Sequence, residues 1–293
     1  MKTKQPLIYI LLTAIFVTLV LIPAVGCKVT QKTTPEQNNG NNNGTDPNEN
    51  NEEEFDPNAK TVLFMGSSYF AGNNFIGIFK NLMKAGGKKL NVFERIVSGA
   101  YLSFHAGNEE SIKKIYERDW DYVLLQGGCH YISKPKWHYL IVPYIKELNR
   151  MIKDNCPDTK TVYMMPWAYE DGLEWMRGEG DSYEEMQQKI YNEALKVADE
   201  IGLVISPVGW AWRTVFLSPD HNIDMYRADY NHPTVNGSYL MACVFYCVIF
   251  QESCEGLEYY NGIPEDDAKF MQKAASDTVM NDLELWHIVE PSN

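Results

Sequence analysis

Cysteine is scarce in this chain and poorly spaced for metal or disulfide chemistry. There are six cysteines and no C-x-x-C pair, which speaks against both a zinc site and a disulfide framework. Also missing is a glycine-rich dinucleotide fingerprint or phosphate loop, so no nucleotide cofactor is expected. The G-x-S-x-G elbow of ordinary α/β-hydrolases is absent, because Phe70 stands where its second glycine belongs. Basic residues are outnumbered: 26 Lys and Arg against 39 Asp and Glu, a net charge of −13. A nucleic-acid partner is disfavoured, since phosphate binding needs a basic surface. The acidity fits solubility better than recognition. No internal repeat is visible.

Long apolar runs are confined to the start. Lys2 and Lys4 precede an apolar stretch from Leu7 to Ile22, followed by Ala24-Val25-Gly26-Cys27. A basic start, a short apolar core and small residues before a cut site read as a signal peptide over residues 1–26. The run is short for a membrane span of about 20 residues. Cys27 resembles the lipidated cysteine of a bacterial lipobox, with Ala24 where leucine is usual. An uncleaved membrane anchor is the alternative. Either way the domain is expected in the cell envelope, outside the cytoplasm and tethered only by its N-terminus. Residues 27–59 continue as an Asn- and Glu-rich stretch with almost nothing apolar to bury. Such a segment cannot offset its ordering entropy and is expected to be a disordered linker. Residues 60–293 have the length of one domain with ample core. Without residues 1–27 the formal charge is −15, 24 basic against 39 acidic residues.

That domain alternates short apolar runs with helical patterns. Strands are predicted at Thr61–Met65, Val92–Val97, Tyr122–Leu125, Thr161–Met165 and Leu203–Ser206. The continuous apolar runs suit strands covered on both faces. Helices are predicted over 74–85, 107–118, 137–153 with a kink at Pro143, 182–200, 236–251 and 265–282. Ser182-Tyr183-Glu184-Glu185 has the form of a capping box. Cys243 and Cys247 read as buried apolar residues of a helix; a disulfide through Cys254 stays open. Five strands alternating with helices imply a parallel sheet covered on both faces.

In such a sheet, ligands bind beyond the carboxyl ends of the strands. That rule nominates Gly66-Ser67-Ser68, Ser98-Gly99-Ala100, Gln126-Gly127-Gly128-Cys129 and Pro166-Trp167-Ala168-Tyr169. Asp229-Tyr230-Asn231-His232-Pro233 adds an acid three residues before a histidine, able to orient it as a base. A serine hydroxyl needs such a base, being a weak nucleophile when free. A serine at a helix start can equally serve as a cap. His130 follows the third strand and is expected to line the pocket. His105 and His138 read as surface positions. Trp137, Trp167, Tyr169, Trp175, Trp210 and Trp212 occupy loops, and Trp167 is the one expected at the pocket rim, against plain packing under loops.

In order and spacing, these blocks resemble the SGNH, or GDSL-type, hydrolase superfamily over residues 60–255. The wording of Leu63–Tyr69 and Trp120–Gln126 is similar to a little-characterised bacterial branch of it. The resemblance implies a flavodoxin-like three-layer α/β/α sandwich with a five-stranded, mainly parallel sheet. It makes Ser68 the nucleophile, with Ser67 replacing the usual Asp. It gives Gly99 an oxyanion-hole amide, and Asp229 and His232 the rest of a triad. One block departs: its usual Asn is missing around Gln126-Gly127-Gly128-Cys129. Gln126 would then supply the side-chain donor, or the amides of Ser68 and Gly99 would act alone. The implied activity is metal-free hydrolysis of acyl esters, acetylated glycans foremost, through an acyl-enzyme. The alternative is a non-catalytic glycan-binding lipoprotein on the same fold.

Overall fold

A computed structural model of the chain describes residues 55–173 and 180–289. The expected signal peptide, Cys27, most of the linker and Trp175 lie outside the described residues. Five parallel strands form one sheet: β1 (Thr61–Gly66), β2 (Asn91–Ile96), β3 (Tyr122–Leu125), β4 (Lys160–Met164) and β5 (Val204–Ser206). Their order is β2-β1-β3-β4-β5. The helices are α1 (Ser68–Ala71), α2 (Phe75–Ala85), α3 (Leu102–Gly107), α4 (Glu109–Ile115), α5 (Cys129–Ser133), α6 (Val142–Asn155), α7 (Tyr183–Ile201), α8 (Val208–Phe216), α9 (Val235–Phe250) and α10 (Glu265–Met280). The expected α/β sandwich is therefore observed.

The strand order fixes where a site can form. From β1 the chain crosses through α2 to β2 on one side, then returns to place β3 on the other. Right-handed crossovers in opposite directions put their helices on opposite faces. Accordingly α2 packs with α9, and α9 with α10, whereas α3 and α4 pack with α6, and α5 with α7. The order reverses between β1 and β3, and the loops leaving them diverge to open a crevice.

All six residues of β1 are buried, as its unbroken apolar run requires. Phe64 is the centre of one core layer, its ring 5.3–5.5 Å from those of Phe70, Phe75, Phe79 and Phe245. The last of these belongs to α9, which is apolar on every side and buried along nearly its whole length. Cys243 and Cys247 lie in it as buried thiols, and Cys254 is also free. The Ser182–Glu185 capping box forms and opens α7, and Gly202 at φ 77° ends it in the left-handed conformation.

Three local expectations change. Pro143 does not kink a helix; it sits in the first turn of α6, where its missing N–H costs nothing. The helix expected over 107–118 is observed as the shorter α4, opened at Asn108, whose side chain caps it by accepting from Ser111 N–H. Short helices α3, α5 and α8 were not anticipated, since one or two turns give too few residues for a period to show.

Candidate active site

The turn after β1 separates the two serines. Gly66 has room only for hydrogen: a Cβ there would lie 2.7 Å from Gln126 Oε1 and 2.8 Å from Gln126 Cβ. Gln126 therefore closes against the turn, and its Oε1 accepts from both Ser67 N–H (2.7 Å) and Ser67 Oγ (2.9 Å). Ser67 is turned inward and buried. Ser68 opens α1 on the other side and is only partly buried.

Ser68 Oγ lies 2.8 Å from His232 Nε2. The opposite ring nitrogen, Nδ1, lies 2.6 Å from Asp229 Oδ2. The other carboxylate oxygen accepts the backbone N–H groups of Asn231 (3.1 Å) and His232 (2.9 Å). Burial raises the Asp229 carboxyl, but these hydrogen bonds and the imidazole outweigh it and hold the group below its ordinary value. An ionised Asp229 fixes the tautomer that leaves Nε2 free to accept the Ser68 proton.

The loop carrying this acid and base is held from several directions. Tyr230 takes a left-handed backbone, φ 60°, which folds Asp229 back onto His232. Arg227 N–H donates to His232 O at 2.8 Å, and Glu170 N–H to Tyr230 O at 2.9 Å. Asn231 is gripped twice: its carbonyl accepts from Trp167 Nε1 (3.0 Å), and its side-chain oxygen accepts from Tyr69 OH. Tyr69 directly follows the serine and Asn231 directly precedes the histidine, so this bond runs parallel to Ser68–His232.

Asn73 makes a second tie. Its Nδ2 lies 2.8–2.9 Å from Pro233 O, Thr234 O and Ser238 Oγ, and its Oδ1 accepts from Arg227 Nη2 at 2.6 Å. Both Asn73 and Asn74 are left-handed, φ 56° and 53°, a conformation that asparagine tolerates better than most residues. The Asn-Asn pair was the available signal for this, though in sequence it reads only as a helix start. Tyr69 and Asn231 gave no signal, because their bond joins positions 162 residues apart.

On the far side of Ser68 stands the loop after β2. Val97 N–H bonds Gly66 O at 3.0 Å, which places Gly99 near the turn that carries Ser68. Gly99 is left-handed at φ 77° and exposed, with nothing within 4 Å of where a side chain would begin. Among the described residues, the backbone N–H groups of Ser68 and Gly99 have no acceptor; Ser68 is in the first turn of its helix, where the donor is left over. Such free donors can receive an oxyanion.

Other expected site residues lie elsewhere. Gln126 cannot serve as the side-chain donor: it is 2 % exposed, its oxygen is taken by Ser67, and its Nε2 donates to Gly127 O at 3.2 Å. Rotating the amide would set a donor against Ser67 N–H, so the orientation is forced. Trp167 does not reach the rim. It is fully buried, stacked between Tyr69 (4.6 Å) and Trp212 (4.2 Å), and supports the base loop from below. His105 is not on the surface either. It is fully buried, with Nε2 3.0 Å from Gly66 O and Nδ1 3.0 Å from Ser111 Oγ. His130 is half-buried, its Nδ1 2.6 Å from Tyr169 OH.

No family model matches this chain, and no curated protein does. Solved structures do resemble it. A DUF4886 family protein from Bacteroides uniformis superposes with a TM-score of 0.61 at 20% identity, covering 77% of this chain and 95% of that one. A protein from Slackia heliotrinireducens, assigned by name to the SGNH hydrolases, superposes with a TM-score of 0.53 at 22% identity, covering 64% and 97%. These likenesses establish the fold, which this chain shares with both proteins.

Proposed function

We propose that the domain is a serine ester hydrolase. The observation that carries this reading is the continuous line Ser68 Oγ–His232 Nε2–His232 Nδ1–Asp229 Oδ2, at 2.8 Å and 2.6 Å. In this mechanism His232 Nε2 takes the Ser68 proton as Oγ attacks an ester carbonyl. The resulting oxyanion is received by the amides of Ser68 and Gly99. On collapse the C–O bond to the alcohol breaks, and His232 returns the proton to that alcohol. Water, deprotonated by His232, then attacks the acyl-Ser68 and releases the acid. Asp229 stays ionised throughout and stabilises the imidazolium.

The substrate class we assign is an acyl ester, acetyl first, on a carbohydrate. An open site suits a substrate that is part of a larger molecule: the side chains of His232 and Asp229 are 30% and 50% exposed. The N-terminal sequence adds a lipid anchor at Cys27 and a place in the bacterial envelope to this reading.

The test is labelling by a fluorophosphonate probe together with turnover of p-nitrophenyl acetate. Wild-type protein should be labelled at Ser68, and Ser68→Ala should lose label and on the order of 10⁵–10⁶-fold in kcat. Activity intact in Ser68→Ala would sink the assignment. Activity should also decline on acidification, because a protonated His232 cannot accept the serine proton. The commitment of Gln126 to Ser67 favours a second reading, glycan binding without catalysis, since it leaves two backbone amides to do the work of three donors. That reading expects no covalent label at all.

A further inference from the structure

The loops after β2 and β3 leave the sheet on opposite sides of β1, yet their side chains meet. Tyr101, two residues beyond Gly99, brings its ring 5.2 Å from that of Tyr131, tilted by 50°. Since β1 lies between β2 and β3, this pair spans the end of the strand that leads to Ser68. Both rings approach Gly128: Tyr131 Cδ2 lies 3.5 Å and Tyr101 Cε1 3.6 Å from where its side chain would begin. Tyr101 is 45% exposed, and Tyr131 is partly exposed. The His130 ring lies 4.0 Å from that of Tyr131.

Polar groups edge this surface. Burial, with the Tyr101 hydroxyl beside it, pushes the Tyr131 phenol up to about 12, so it keeps its proton and can donate. Burial lowers the His130 imidazole and raises the Tyr169 phenol far above its usual value. A protonated phenol donating to Nδ1 of a neutral ring leaves the ring hydrogen on Nε2.

We infer that Tyr101, Tyr131 and His130 form a sugar-binding subsite beside Ser68, stacking a pyranose face on the two tilted rings and donating hydrogen bonds to its ring and ester oxygens. This rests on the ester-hydrolase reading for its place in a reaction, though not for the binding itself. Three points favour a sugar ring over a flat aromatic acyl group. The rings are tilted rather than coplanar, their hydroxyls lie at the ring edges, and a guest rich in oxygen can extend the hydrogen bond the two tyrosines already share. Tyr101 is also only two residues from Gly99.

Glucose pentaacetate is the probe, with ethyl acetate as the sugar-free ester. Binding of glucose pentaacetate is measured by calorimetry in Ser68→Ala, where the ester survives. Tyr101→Leu and Tyr131→Leu, each added to Ser68→Ala, should weaken it about tenfold, the scale of one lost ring contact. In the catalytic background the same changes should lower the ratio of kcat/KM for glucose pentaacetate to that for ethyl acetate, mainly through KM. Both tyrosines are at the surface, and unchanged circular dichroism and melting would show that folding is intact. Failure of Ser68→Ala to bind glucose pentaacetate would overturn the subsite, as would tyrosine variants that bind it as well or a preference for phenyl acetate over the sugar ester. Tyrosine-dependent binding without turnover or fluorophosphonate label would leave the subsite standing and remove the hydrolase.

Discussion

The two halves of the candidate site are built on different principles. On one side of Ser68 the nucleophile turn is stapled to the base loop: Tyr69 holds Asn231, and Asn73 holds Pro233, Thr234 and Ser238. On the other side Gly99 stands exposed with open space around it, and Tyr101 is 45% exposed. Proton transfer between Ser68 and His232 depends on short distances and fixed angles, so the stapled half is the one where displacement is costly. In the proposed reaction the open half must admit a carbonyl and whatever group carries it. Rigidity and access are thus divided between opposite flanks of one serine.

The comparison can be broken hardest at the acid. Asp229→Asn preserves shape but no longer holds the productive tautomer, and kcat on p-nitrophenyl acetate should fall about 10⁴-fold with the fold intact by circular dichroism. A loss under tenfold would mean that His232 is oriented by other groups. Next comes the staple itself. Asn73→Ala removes four contacts of one amide and forces alanine into a left-handed backbone, so unfolding should become easier by about 3 kcal/mol. Thermal melting would then drop by roughly 6–12 °C. Asn73→Gly keeps the backbone and loses only the bonds, and should fall between that variant and wild type.

The open half should respond less. Gly99→Ala meets no neighbouring atom and faces only the strain of φ 77°, about 1–2 kcal/mol. Its kcat should stay within about tenfold of wild type, since the amide donor survives. A collapse as large as that of Asp229→Asn would show that the open flank is as tightly specified as the stapled one. The smallest effect belongs to His105, which holds Gly66 O from the β2 side. Burial lowers its proton affinity below that of a free imidazole, whose pKa is 6.5. The unfolded chain therefore binds this proton more readily than the folded one. Stability is complete above 6.5 and declines as pH falls toward the lowered folded value. A melting-temperature series from neutral to mildly acid pH should show this slope, and His105→Gln should flatten it.

Much of the fold can be read from local pattern. The apolar runs of β1, β3 and β4, the capping box of α7 and the all-round apolar character of α9 each lie within a few turns of chain. Gln126, Trp167 and His105 could not be read that way. Gln126 points at Ser67, 59 residues away; Trp167 is covered by Tyr69 and Trp212; His105 reaches across 39 residues to Gly66. A polar or aromatic residue in a loop has several rotamers of similar energy, and only the neighbour it meets selects among them.

By itself the sequence determined the alternation of strands and helices, and with it the end of the sheet where loops could converge. It also supplied the inventory, two serines on one turn and an acid three residues before a histidine. Tertiary structure decided how that inventory is arranged. It turned Ser67 inward onto Gln126 and Ser68 outward onto His232, a contact spanning 164 residues. It sank the tryptophan expected at the rim and brought two tyrosines together across the end of β1. Periodicity is imposed by backbone geometry repeating every few residues, whereas the direction of a side chain at a loop is set by packing between segments that are distant in the chain.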